Sequence, residues 1–186
     1  MSQNMSGNKI LLGVSASVSL YKSCDLASKL TQAGHDVRAV LTPNAAKLIS
    51  AQLFEAVCSG PAYTDEFDDT RRTSMDHIEL GQWCDLLVIA PASADLIGRL
   101  ANGLAGDLLA TVALAYPAGQ PRLIAPAMNP QMLAQPAVQR NLARLVEDGW
   151  GLIEPGEGHH ACGDSGQGRL AEPTEILRRI VAQLGA

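Results

Sequence analysis

Nowhere in this 186-residue chain does an apolar run approach the roughly 20 residues that a membrane span requires, so no transmembrane segment is expected. The opening residues, Met1 to Lys9, are polar and lack the apolar core of a secretory signal. Residues 1–8 are expected to be a disordered extension ahead of one domain, 9–186. Closely spaced cysteines are absent as well. Cys24, Cys58, Cys84 and Cys162 are scattered without a CxxC pair, which argues against a disulfide framework or a zinc site and fits a reducing cytoplasm. There is no basic cluster, and the formal net charge of −5 argues against nucleic acid as the main partner. No internal repeat divides the chain. What is present is a foldable core: 47% of the residues are apolar, and a chain of this length can bury a sizeable hydrophobic interior.

Short apolar runs alternate with helical periods. Ile10 to Val14 predicts a strand, Ser15 to Ser19 a turn of small residues, and Tyr21 to Ala33 a helix that Gly34 stops. Val37 to Leu41 predicts the next strand, and Thr42-Pro43-Asn44 its exit, with Pro43 suited to a first helical turn. A helix is expected over roughly Asn44 to Cys58. Leu86 to Ala90 is the clearest buried strand, and Arg122 to Ala125 is another. Leu96 to Leu100, Leu108 to Ala115 and Ala137 to Leu145 read as helices, and Gly151 to Ile153 as a last short strand. A final helix, Glu175 to Leu184, follows Pro173 with Thr174 as its cap. Such alternation predicts an α/β fold, a parallel sheet with helices on both faces. Glu154 to Leu170 breaks the rhythm. It is rich in glycine and has no apolar period, which predicts a long loop tethered at both ends and able to act as a flap.

Three predicted strand exits share one edge of that sheet. Pro126-Ala127-Met128-Asn129-Pro130-Gln131-Met132 sets Asn129 in a turn stiffened by proline on both sides. Ligands bind at this edge in open α/β sheets, while Asn is also a common helix cap. Pro91-Ala92-Ser93-Ala94-Asp95 lets backbone and a hydroxyl approach a ligand, with Asp95 the expected cap of the next helix. The turn after the first strand is either a simple tight turn or a phosphate cradle. Gly13 lacks the partners of a dinucleotide fingerprint, so a mononucleotide suits it better than NAD. His77, before Ile78-Glu79-Leu80, is either a proton carrier or a structural histidine. His159 and His160 read as solvated loop residues, since no third ligand is spaced for a metal. Cys162, in a glycine-rich segment, has no core to fill and could deliver a proton to a substrate.

Taken in order, Tyr21-Lys22, His77-Ile78-Glu79-Leu80, Pro91 to Leu96, Ala101-Asn102-Gly103, Ala125 to Asn129 and Ala161-Cys162-Gly163-Asp164 resemble the homo-oligomeric flavin-containing cysteine decarboxylases, and among them the phosphopantothenoylcysteine decarboxylases. The resemblance runs from about Lys9 to Glu172. It implies a single Rossmann-like (flavodoxin-like) domain, an FMN cofactor (with FAD as the alternative), no metal, and a homotrimer or a dodecamer of trimers. It implies that Ala16, Ser17 and Val18 hold the cofactor phosphate and that Thr42, Pro43, Asn44, Ser93, Ala94, Asp95, Leu96 and Ala127 line the flavin. His77 would be catalytic, and neighbouring subunits would share the active site. Asn129 would bind the substrate carboxylate, with Met132, Ala161 and Gly163 around the substrate. Cys162, on the 154–170 flap, would return the proton.

The implied reaction converts 4′-phosphopantothenoylcysteine to 4′-phosphopantetheine in coenzyme A biosynthesis. Oxidation of the thiol side to a thioaldehyde opens a route for the electrons left by CO₂. An enethiol forms and is then reduced, so the net reaction is non-redox. Two departures stand out: Ala16 where glycine is common, and Leu133 where tryptophan usually follows the methionine. A peptide-modifying relative that decarboxylates a C-terminal cysteine is the nearest rival. A phosphatase-inhibitory binding subunit and a flavin prenyltransferase are further ones. The Ala-Cys-Gly-Asp segment favours the small substrate, and retention of His77, Asn129 and Cys162 disfavours an inactive subunit.

Overall fold

The apolar runs become the strands of one parallel sheet. The structure is a computed structural model that describes residues 7–58, 60–67, 75–159 and 165–185. Six strands, β1 (Lys9–Val14), β2 (Asp36–Leu41), β3 (Ala62–Tyr63), β4 (Leu86–Ala92), β5 (Arg122–Pro126) and β6 (Gly151–Leu152), lie in the order β3-β2-β1-β4-β5-β6. All neighbours pair in parallel. This is the Rossmann-type order; without the two-residue edge strand β3 it is the flavodoxin order. The direction of winding reverses between β1 and β4, which fixes where a ligand crevice can open.

Helices α1 (Tyr21–Gln32), α2 (Pro43–Ala46) and α3 (Ala51–Cys58) follow β1 and β2; α4 (Asp76–Trp83), α5 (Ala94–Ala101) and α6 (Leu108–Ala115) flank β4. Then come α7 (Pro130–Leu133), α8 (Pro136–Glu147) and α9 (Pro173–Leu184). Period-two alternation splits the strands between two cores. Ile10, Leu12 and Val14 pack with α1, α3 and α9, around Leu26, Phe54 and Ile176. Leu11, Leu87 and Ile89 pack with α4, α5, α6 and α8. Both faces being covered, all seven residues of β4 are buried. Gly13 lets α6 come close: a Cβ there would stand 2.6 Å from Leu109 Cδ1.

Several elements differ from the sequence reading, for local chemical reasons. The helix expected over 44–58 is two. Thr42 caps α2 through Oγ1, which accepts from Ala45 N at 3.2 Å, and Ser50 accepts from Gln52 N at 3.2 Å to start α3 anew. Strand β4 continues through Pro91 to Ala92, at an irregularity in its ladder with β5, where a missing N–H is tolerated. Ser93, not Asp95, caps α5: its Oγ accepts from Leu96 N at 3.3 Å, while Asp95 pairs with Arg99. Helix α9 opens with Pro173 at its first position and Glu172 at the cap site without a side-chain cap bond, so Thr174 is not the cap. The long loop expected over 154–170 contains an antiparallel hairpin, β7 (Gly156–His159) and β8 (Ser165–Arg169). Its strands are mostly glycine and polar residues, so no apolar alternation announces them. Strand β3 and helix α4 were not anticipated; both are short, and α4 buries only Leu80 among its large apolar side chains. None of the described helices is long and apolar enough to cross a membrane.

The described cysteines behave as core atoms. Burial, with the neighbouring Cys24 adding to it, pushes the Cys58 thiol up from its ordinary 9.0 to about 12. Burial likewise pushes Cys84 up to about 12. A folded-state pKa raised in this way stabilises the protein below pH 9.0, and that contribution is lost as pH rises through about 12. Native protein at pH 8 is therefore expected to resist iodoacetamide at Cys58 and Cys84, and the urea midpoint is expected to fall steadily above about pH 9. Peptide mapping before and after unfolding checks the first; equal labelling in both states would contradict it.

Candidate functional site

At the carboxyl edge of the sheet, the winding reversal parts β1 from β4, and three strand exits meet there. The turn after β1 supplies Ala16 to Ser19, the turn after β4 supplies Ser93 and Ala94, and the turn after β5 supplies Ala127, Met128 and Asn129. Tyr21 and Lys22 of α1, Met132 of α7 and the end of the hairpin complete a cavity of about 480 Å³. Its walls are mostly apolar, with the polar groups gathered at the turns. Pockets of this size and character suit a small organic ligand.

Each wall has a local cause. Ser17 caps the single 3₁₀ turn Val18–Leu20 that leads into α1, and its hydroxyl lies 2.9 Å from that of Ser19. Hydroxyls and backbone N–H groups thus converge where a helix begins, a donor set for an anion. Ser15, one residue earlier and buried, joins two exits: its Oγ donates to the Pro91 carbonyl at 2.9 Å and accepts from Ser93 N at 2.7 Å. Ser15→Ala is expected to leave the Ser93 N–H without its partner, while the Pro91 carbonyl keeps the Ser15 backbone N–H at 3.1 Å, at a cost of about 1–3 kcal/mol. For a domain of this size each kcal/mol is worth roughly 2–4 °C in Tm. Calorimetry showing an unchanged Tm would refute it.

The hairpin base is fastened from two sides. Lys22, buried, donates from Nζ to Glu172 Oε1 at 2.7 Å and to the Leu170 carbonyl at 3.3 Å. Met128 N donates to the Gly168 carbonyl at 2.9 Å. Asn129 caps α7, its Oδ1 accepting from Gln131 N at 2.8 Å, so the amide nitrogen supplies the donors of this side chain.

Of the residues singled out by sequence, Ala16, Ser17, Val18, Ser93, Ala94, Ala127, Asn129 and Met132 come together around the cavity. Thr42 is buried as the cap of α2, with Pro43 and Asn44 on the same sheet edge but outside the cavity lining. Leu96 belongs to the core and Asp95 lies on the surface. His77 sits on α4 with Nδ1 against the Glu66 carboxylate, also outside the lining. Ala161, Cys162, Gly163 and His160 lie outside the described residues. Among the described residues no cluster of His, Cys, Asp or Glu could hold a metal. Ser15, Lys22, Met128 and Arg169 were missed as site residues. Ser15 hid in a run of small residues, and Lys22 meets its partner 150 positions along the chain.

Residues 1–185 match the protein-family model described as Flavoprotein. The chain belongs to the Flavoprotein family. Within that family it stands with the flavin-dependent cysteine decarboxylases, which are carboxy-lyases. It is 44% identical over 174 residues to the coenzyme A biosynthesis bifunctional protein CoaBC of Bacillus subtilis, covering 94% of this chain and 42% of that one. The chain thus spans less than half the length of this relative. A solved PPC decarboxylase mutant complexed with pantothenoylaminoethenethiol superposes with a TM-score of 0.86 at 32% identity, covering 97% of this chain and 100% of the other. SpaF, an FMN-dependent cysteine decarboxylase, superposes with a TM-score of 0.82 at 32% identity, covering 97% and 99%. The cavity fits the group the family name implies. Apolar surface from Val18, Met128 and Met132 can face a flat ring system, and the Ser17–Ser19 turn offers donors to a phosphate. Ala16 in place of glycine still lines the cavity, and Leu133 is absorbed into the core under α7.

Proposed function

We propose that this chain binds FMN in the cavity at the winding reversal and decarboxylates 4′-phosphopantothenoylcysteine to 4′-phosphopantetheine in coenzyme A biosynthesis. The observation that carries this reading is the placement of the Asn129 amide beside the donor-rich turn after β1, in one cavity. The Ser17–Ser19 turn holds the cofactor phosphate, and Ala94, Ala127 and Met128 stand along the ring. When bound, the flavin supplies the reversible two-electron chemistry that lets an otherwise unactivated carboxylate leave as CO₂. Asn129 holds that carboxylate by hydrogen bonds from its amide nitrogen, and the largely apolar walls limit water around it. Cys162 returns the proton. His77 works from a neighbouring subunit of a trimer-based homo-oligomer, since in its own chain it lies outside the lining.

Purified protein reconstituted with FMN is expected to be yellow and to convert phosphopantothenoylcysteine to a product lighter by CO₂ by mass spectrometry. Protein that stays colourless with FMN and with FAD, or that leaves this substrate intact, sinks the reading. A second reading, kept from the motif resemblance, is a decarboxylase of peptides that end in cysteine. Such peptides belong in the same assay, and turnover of them alone would select it.

A further inference from the structure

Among the described residues that line the cavity, charge has one sign. Lys22 and Arg169 are the charged side chains among its described lining residues, and no carboxylate joins them. Lys22 is already committed to Glu172 at 2.7 Å. Arg169 forms no ion pair among the described residues. Its position is nonetheless built. Gly168, just before it, is bonded through its carbonyl to Met128 N at 2.9 Å, next to Asn129. Gly166 lies against the Pro130 ring, where a Cβ would come within 3.2 Å of Cγ. The guanidinium itself crosses β7 at Gly158, where a Cβ would stand 2.7 Å from Nη1 and 3.2 Å from Cδ. Absence of a side chain at Gly158 is thus what gives the arginine its place. A docked strand sets an arginine in the cavity wall, and among the described lining residues no carboxylate faces it.

We propose that Arg169 is a specificity-determining residue that reads an anionic group of the substrate. The inference rests on the function proposed above. That substrate has a carboxylate at its cysteine end and a phosphate at its pantothenoyl end, and a guanidinium fork matches either with paired hydrogen bonds.

Equilibrium binding to the flavin-loaded protein tests this without turnover. Pantothenoylserine, which lacks the thiol that the flavin would oxidise, carries the carboxylate alone, 4′-phosphopantetheine the phosphate alone, and pantetheine neither. Arg169→Gln is expected to weaken the ligand bearing the anion that is read by roughly tenfold to a hundredfold and to leave pantetheine within about twofold. Arg169→Lys restores part of the loss, and flavin content and absorbance stay those of the parent. Which charged ligand suffers identifies the anion. An equal loss for all three ligands, no loss for any, or loss of flavin overturns the proposal, as does a parent protein that prefers neither charged ligand to pantetheine. Failure to turn over phosphopantothenoylcysteine would instead defeat the proposed function, and the binding comparison would still decide the role of Arg169.

Discussion

Asn129→Asp is expected to fold and hold flavin like the parent protein while losing at least about a hundredfold in kcat/KM. The separation follows from what each end of the amide does. Oδ1 caps α7 at 2.8 Å from Gln131 N, and an aspartate oxygen does that equally well. The amide nitrogen, by contrast, becomes a second carboxylate oxygen. Where the parent amide is proposed to donate hydrogen bonds to the substrate carboxylate, the variant presents negative charge in a largely apolar cavity, at an expected cost of a few kcal/mol. Each 1.36 kcal/mol is about tenfold in rate. Tm and the visible spectrum should stay within error while turnover collapses. Parent-like turnover would leave Asn129 a cap and nothing more.

Co-expression of two inactive variants is expected to restore activity that neither has alone. His77→Asn is expected to lose roughly a hundredfold to ten-thousandfold, the usual worth of an acid–base residue. His77 lies on α4 against Glu66 and away from its own chain's cavity. Near it in sequence, Phe67 and Met75 are 82% and 59% exposed. If His77 completes a neighbour's site, mixed oligomers of His77→Asn and Asn129→Asp contain intact sites. Random assembly around a ring gives about a quarter of parent activity, since half the pockets keep Asn129 and half of those receive His77. A mixture no more active than its components would show that His77 does not act across subunits.

Much of the scaffold was legible because its causes are local. Strands buried on both faces must read as apolar runs, and Ile10–Val14, Val37–Leu41 and Leu86–Ala90 do. The strand exits were legible because serine, proline and asparagine in turns have specific backbone roles, and Ser17 and Asn129 are caps in the structure. What failed was also local but competing. Ser93 and Asp95 both suit a cap, and only backbone geometry selects the serine. In 154–170, glycine removed the side chains whose alternation would have betrayed a hairpin.

By itself, then, the sequence determined the α/β class, the strands buried on both faces and the polar exits along one edge. Each of these is written in neighbouring residues through apolar periodicity and turn chemistry. Only the tertiary structure decided that Ser15 ties the β1 and β4 exits together, that Lys22 fastens the hairpin to α1, and that Arg169, laid over Gly158, is part of the cavity wall. Those contacts join residues far apart in the chain, so they depend on strand order and on the docking of the hairpin against α7, neither of which any local pattern encodes.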